Sequence, residues 1–313
     1  MSDSCAYRAG HIAIVGRPNV GKSSLLNALL GEKLSITAPK PQTTRHQIMG
    51  IHTTPSAQFV YVDTPGLHQR RGNALNRQLN RSAASIMGQV DVLVFVVQAM
   101  RWTGEDEAVL QRLSTLGEVP VLLVVNKVDL VKDKTELLPF LQKIAERHPF
   151  AAIVPVSARK GSGLEQLAAE VEARLPESEP LYPEDQISTQ SERFFVAEMI
   201  REKAIRLVHD EIPYSITVEV ESFREETVPP TRAGQAPLQR LRIDAVIWVE
   251  KEGHKAIVIG EGGQRLKEIG TQARQDIERF LDRRVHLGLW VKVKAGWADD
   301  ERALNSLGYG DTL

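Results

Sequence analysis

An α/β domain with a mostly parallel sheet and helices on both faces, followed by a smaller α+β domain, is the fold class this 313-residue sequence predicts. Three observations carry that reading. Short apolar runs alternate with helically patterned stretches through the first half, as parallel strands crossed by helices require. The first run feeds Gly16-Arg17-Pro18-Asn19-Val20-Gly21-Lys22-Ser23, a complete G-x-x-x-x-G-K-[ST] phosphate-binding loop. Beyond a proline-rich stretch near residue 180, the order becomes helix, strand, strand, helix, helix, strand.

The elements follow in order. His11 to Val15 reads as a buried strand and Ser24 to Leu30 as the helix after the loop. Phe59 to Val62, Val92 to Val97, Val121 to Val125 and Ile153 to Val156 are apolar runs of strand length, continuous because such strands are covered on both faces. Glu105 to Leu116 and Thr135 to Arg147 are helical. Leu175 to Pro183 holds three prolines and little periodicity, the composition of a linker. In the second half a helix is expected from Glu192 to His209, with Phe195, Met199, Ala204 and Val208 in its apolar stripe. Strands follow at Ser215 to Ser222 and Leu241 to Glu250, and a last one at Val285 to Val293. The division expected is 1–178, a linker over 179–190, and 191–313 with a C-terminal tail.

Bulk properties narrow the class. Hydrophobic residues at 42% and charged residues at 25% suit a globular protein, and the length exceeds what one core usually supports. The lone Cys5 allows no internal disulfide, so a reducing compartment, the cytoplasm, is expected. No apolar run approaches bilayer length, and no charged-then-apolar N-terminal segment suggests a secretory signal, so none is expected. Residues 1–179 carry 20 Lys and Arg against 17 Asp and Glu; residues 180–313 carry 19 against 23, a net of −4. A polyanion binding the second half must therefore use a local patch.

A strand, a glycine turn and a helix N-terminus aim backbone N–H groups at one anion. Lys22 can neutralise β- and γ-phosphates, and the Ser23 hydroxyl can ligate Mg2+. Asp63-Thr64-Pro65-Gly66 follows the next buried run, where Asp63 can hold Mg2+ through water and the Gly66 N–H can reach a γ-phosphate. Asn126-Lys127-Val128-Asp129 ends a later run. The Asp129 carboxylate can accept from the N1–H and 2-amino group of guanine, whereas adenine would leave it unpaired, so GTP and GDP are expected over ATP. Ser157-Ala158 can donate backbone N–H to the guanine carbonyl. In Gln42-Thr43-Thr44-Arg45-His46 a threonine can complete the Mg2+ shell, Thr44 before Thr43. Lys22, Thr44, Asp63 and Gly66 are thus the candidate catalytic groups.

Four motifs in chain order, G-x-x-x-x-G-K-S, Thr43-Thr44, D-T-P-G and N-K-V-D, resemble the translation-factor class of GTPases. Gln42 to His46, Tyr61 to His68, Pro213-Tyr214-Ser215 and Trp290 to Arg302 further resemble the Era family of bacterial GTPases. Several expectations follow from the resemblance. Leu67 stands where other GTPases place a water-orienting Gln, so slow intrinsic turnover is expected. Asn19 matches an asparagine that helps hold K+ in related GTPases. The second half is identified as a KH domain of the bacterial type, with Gly260-Glu261-Gly262-Gly263 as its G-x-x-G loop facing RNA phosphates. Glu261 and Gly262 depart from the basic residues common there. Arg265 and Lys267 can supply positive charge, as can Arg274, Arg283 and Arg284 if they share a face.

The family further implies binding near the 3′ end of 16S ribosomal RNA during maturation of the 30S subunit, and peripheral association with the inner membrane. A monomer is expected. The competing reading is a nucleotide-driven RNA remodelling enzyme with a different RNA target.

Overall fold

The computed structural model describes residues 6–38, 43–64, 74, 75, 77, 79, 86–208, 216–229, 237–300 and 304. Two compact units divide the chain. One takes its described residues from 1–37, 44–72 and 76–189; the other takes them from 38–43, 73–75 and 190–313.

In the first unit, β1 (Arg8–Val15), β3 (Ala57–Asp63), β4 (Val92–Gln98), β5 (Val121–Asn126) and β6 (Ala152–Pro155) are parallel, and β2 (Ile48–Thr53) is antiparallel to β3. The order is β2-β3-β1-β4-β5-β6. Every residue of β3 and β5 is buried, which explains their unbroken apolar character. Register sets the C-terminal ends level: Ile14 pairs with Asp63, Val15 with Phe95, and Gln98 with Asn126. The motifs therefore emerge along one edge, where ligands of such sheets bind.

Helices α1 (Lys22–Leu30), α2 (Gly104–Leu113), α3 (Leu137–Ala145) and α4 (Leu164–Glu172) lie in this unit. Thr103 and Asp106 form a capping box at the start of α2. The segment read as linker is tied to the sheet edge. Leu181 and Tyr182 donate backbone N–H to Gln58 Oε1 at 2.7 and 2.9 Å, and Ile51 N–H donates to Ile187 O at 2.9 Å. An edge strand left bare would template aggregation, and the Ile51–Ile187 bond covers part of the edge strand β2.

In the second unit α5 (Glu192–Leu207), β7 (Thr217–Val228), β8 (Leu238–Val249), α6 (Glu252–Ile259), α7 (Gln264–Leu281) and β9 (Val285–Val293) appear in the anticipated order. β7 and β8 are antiparallel; β8 and β9 are parallel. Ile269, Ala273 and Ile277 of α7 recur at helical spacing and pack with Val196, Ile200, Ile243, Ile247 and Val291. Phe195, Met199, Ala204 and Val208 are buried as expected. Helix α5 buries charge as well: Arg201 donates to both Glu198 oxygens at 2.7 Å, and Lys203 pairs with Asp276 of α7.

Candidate functional site

Gly21 sits at φ 100 before α1, and a Cβ there would lie 2.4 Å from Asn126 Nδ2, so only glycine fits. Asn126 is a brace. Its Nδ2 donates to Val20 O at 3.0 Å, while its Oδ1 accepts from Lys127 N at 2.8 Å and Ala158 N at 3.1 Å. Phosphate loop, Asn126–Asp129 turn and Ser157–Ala158 turn are thus locked by one side chain. Lys127 Nζ donates to Asn19 O at 2.6 Å, adding a second link, and Asn19 and Lys127 both hold positive φ.

Lys22 is buried and donates to Gly16 O and Arg17 O, each at 3.0 Å. Burial pulls its pKa down to about 8; Asp63 opposes that shift and Arg17 adds to it. Arg17 is buried and pairs with buried Asp106 at 3.0 Å. Pro18 and Val20 complete the loop, Val20 fully buried.

Beneath Lys22 three hydroxyls and a carboxylate converge. Ser23 Oγ lies 2.8 Å from Thr44 Oγ1 and donates to Asp63 Oδ2 at 2.8 Å; Thr44 Oγ1 donates to the same oxygen at 3.5 Å. Ser35 Oγ adds a third donor at 2.8 Å. Asp63 is fully buried, which raises its pKa, against Lys22 and the three hydroxyls, which lower it. Its Oδ1 has no hydrogen-bond partner. An orphaned buried carboxylate oxygen beside hydroxyls is the hard-oxygen donor set that Mg2+ takes. Thr43 Oγ1 instead donates to Ala38 O at 3.5 Å. Thr64 is buried and donates to Ile14 O at 2.9 Å. Asp129 accepts from Ser157 Oγ at 2.6 Å, the main cause of its lowered pKa. Val128 N–H donates to Val156 O at 3.2 Å.

The G-x-x-G loop joins α6 to α7 as a 3-10 turn, with Gly260, Gly262 and Gly263 at φ 73, 55 and 78. A Cβ on Gly260 would meet Arg265 Cβ at 2.7 Å, whereas Gly262 and Gly263 face open space. Glu261 and Lys267 are exposed. Arg265 Nη1 donates to Ile257 O and so caps α6. Arg274, Arg283 and Arg284 do share a pocket, with Glu278 and Asp282, but around the far end of α7. Arg274 is engaged there by both Glu278 oxygens at 3.0 and 2.9 Å. These three arginines therefore do not reinforce the loop.

Cys5, Gln42, Pro65, Gly66, Leu67, Pro213 to Ser215 and Glu301 to Arg302 lie outside the described residues. Ser35, its brace Asn27 and the bracing role of Asn126 escaped sequence reasoning. The first two carry no local pattern; Asn126 was visible only as a motif letter.

Sheet order, phosphate loop and level strand ends define a P-loop GTPase, and the second unit has the element order of a bacterial-type KH domain. Residues 11–127 match the family model described as 50S ribosome-binding GTPase, and residues 211–298 match the KH domain model. GTPase Era of Yersinia pestis (strain Pestoides F) and that of Yersinia pseudotuberculosis serotype O:1b (strain IP 31758) are each 54% identical to this chain, over the whole of both chains. The chain belongs to the Era family of GTPases. A crystal structure of an Aquifex aeolicus Era variant bound to GDP·AlF4− resembles it with a TM-score of 0.89 at 38% identity, covering 96% of this chain and 99% of that one. Era in complex with MgGDPNP and nucleotides 1506–1542 of 16S ribosomal RNA does so at 0.89 and 40%, covering 97% and 99%.

Proposed function

We propose that this chain binds GTP with Mg2+, hydrolyses it slowly, and uses the bound nucleotide to govern how its KH domain holds the 3′ end of 16S ribosomal RNA during 30S maturation. The observation that carries the reading is the convergence of Lys22, Ser23, Thr44 and Asp63 at one strand edge, with Asp129 one turn past the end of β5 on the same edge. Ser23 and Thr44 would offer Mg2+ their hydroxyl oxygens, and Asp63 Oδ1 would accept from its water. The metal, when bound, neutralises phosphate charge and orients the γ-phosphate. Lys22 and the loop N–H groups hold the β- and γ-phosphates; Asp129 reads the guanine edge, and the Ala158 N–H meets its carbonyl. Gly66 would contact the γ-phosphate.

The relative's bound ligands, MgGDPNP and a 16S fragment, are the same two classes. The matching GTPase model is described by the 50S subunit; the small subunit is assigned here because the full-length relative holds 16S RNA. RNA phosphates would meet Gly262 and Gly263, with Lys267 as the nearby cation. The functional domains are 1–178 and 191–313, joined over 179–190. K+ held beside Asn19 would add positive charge at the phosphates, while the attacking water that Leu67 cannot orient would be positioned by another group. The protein would act as a cytoplasmic monomer, and any inner-membrane association would be peripheral, since no helix among the described residues is long and apolar enough to cross a membrane.

Phosphate release from GTP and ATP, each with Mg2+ in K+ or Na+ buffer, tests the reading. GTP alone should be hydrolysed, and faster in K+. Equal rates in the two buffers would remove Asn19 from the mechanism, and hydrolysis of ATP at the GTP rate would overturn the nucleotide assignment.

A further inference from the structure

We propose that Ser35 is a positioning residue for the Mg2+ site, holding the Asp63 carboxylate in the one orientation that leaves Oδ1 for the metal's hydration shell. The inference rests on the Mg2+–GTP reading above. Ser35 is fully buried, and its hydroxyl donates to Asp63 Oδ2 at 2.8 Å. Ser23 and Thr44 reach that same oxygen, but both are candidate metal ligands, so their positions also answer to the ion. Ser35 has no such second duty.

Its position is unusually well fixed. Asn27, in the helix whose first turn carries Lys22 and Ser23, grips the Ser35 backbone on both sides. Asn27 Oδ1 accepts from Leu34 N at 3.1 Å and Ser35 N at 2.8 Å, and its Nδ2 donates to Ser35 O at 2.7 Å. Leu34 and Ile36, flanking Ser35, are each 2% exposed and anchor the segment in the core. The terminal torsion of an aspartate is broad and sets no orientation by itself. A charge-assisted hydrogen bond from a fixed hydroxyl supplies what that torsion lacks. Groups that orient a metal's partners typically change metal affinity tenfold or more when removed.

The test measures dissociation of a fluorescent GDP from the full-length chain, in Mg2+ and in EDTA. For Ser35→Ala the rate in Mg2+ should rise about tenfold while the rate in EDTA stays within about twofold of the parent's. Equal acceleration in both buffers would show a merely structural role and overturn the proposal, as would an unchanged rate in Mg2+. A parent chain whose own release ignores Mg2+ would instead defeat the underlying Mg2+ reading, and the proposal with it. Should Ser35→Ala lack a cooperative melt, Ser35→Cys decides by the same criteria, since a thiol keeps the volume but donates weakly.

Discussion

Lys22 illustrates how one residue links folding to ligand chemistry. Its folded pKa of about 8 lies below the ordinary 10.5, because burial disfavours the ammonium. A base depressed in this way costs stability below its folded pKa, and the cost fades as pH rises toward the unfolded value. Phosphate restores the charge. Nucleotide binding should therefore take up a proton between about pH 8 and 10 and weaken across that window; calorimetry in buffers of differing ionisation enthalpy reads both. Proton uptake absent at pH 9 would contradict it. Asp129 behaves oppositely: the Ser157 hydroxyl holds its carboxyl below the usual range, so it stays ionised at working pH. Asp129→Asn should lower GTP affinity by about a hundredfold or more without shifting the melting temperature much. Unchanged affinity would remove Asp129 from base reading. Most of these residues were legible because phosphate and guanine chemistry needs them at fixed local spacing. Ser35 was not, since it lies in the irregular segment after α1 and its partner is 28 positions away, at the end of β3.

At the scale of elements, the parallel strands were legible from unbroken apolar runs, and β9 was legible to its ends. β2 was not. Ile48–Thr53 mixes Gly, His and Thr and does not alternate cleanly, its outer edge being covered by residues 187 and 188. The linker's contacts were equally hidden, because proline content announces irregular backbone but not what that backbone touches. α5 read as an apolar stripe, yet its buried Glu198–Arg201 and Lys203–Asp276 pairs depend on tertiary packing. The G-x-x-G loop was legible as sequence, while the capping role of Arg265 required the structure. Gly263→Asp is the informative change there. It meets open space and a φ that Asp tolerates, so the fold should survive while the added carboxylate repels phosphate. Affinity for a single-stranded 16S 3′-end oligonucleotide should fall about tenfold or more by fluorescence anisotropy, with GTP hydrolysis retained. Undiminished RNA binding would refute the loop assignment.

At the scale of the whole molecule, the proposed function places two ligands on one chain: nucleotide on the first domain and RNA on the second. Coupling of this kind is a free energy shared between sites, and it is reciprocal. If GTP favours the RNA-holding state, RNA must favour GTP over GDP by the same factor. Bulk charge cannot supply RNA affinity, because residues 180–313 carry a net charge of −4. State-dependent presentation of a local site is therefore the consistent device. The most direct measurement is the affinity of the full-length chain for a 16S 3′-end fragment in the presence of Mg2+, compared between GDP and a non-hydrolysable GTP analogue. Binding should be about fivefold or more tighter with the analogue; equal affinity in the two nucleotide states would rule out the proposed coupling.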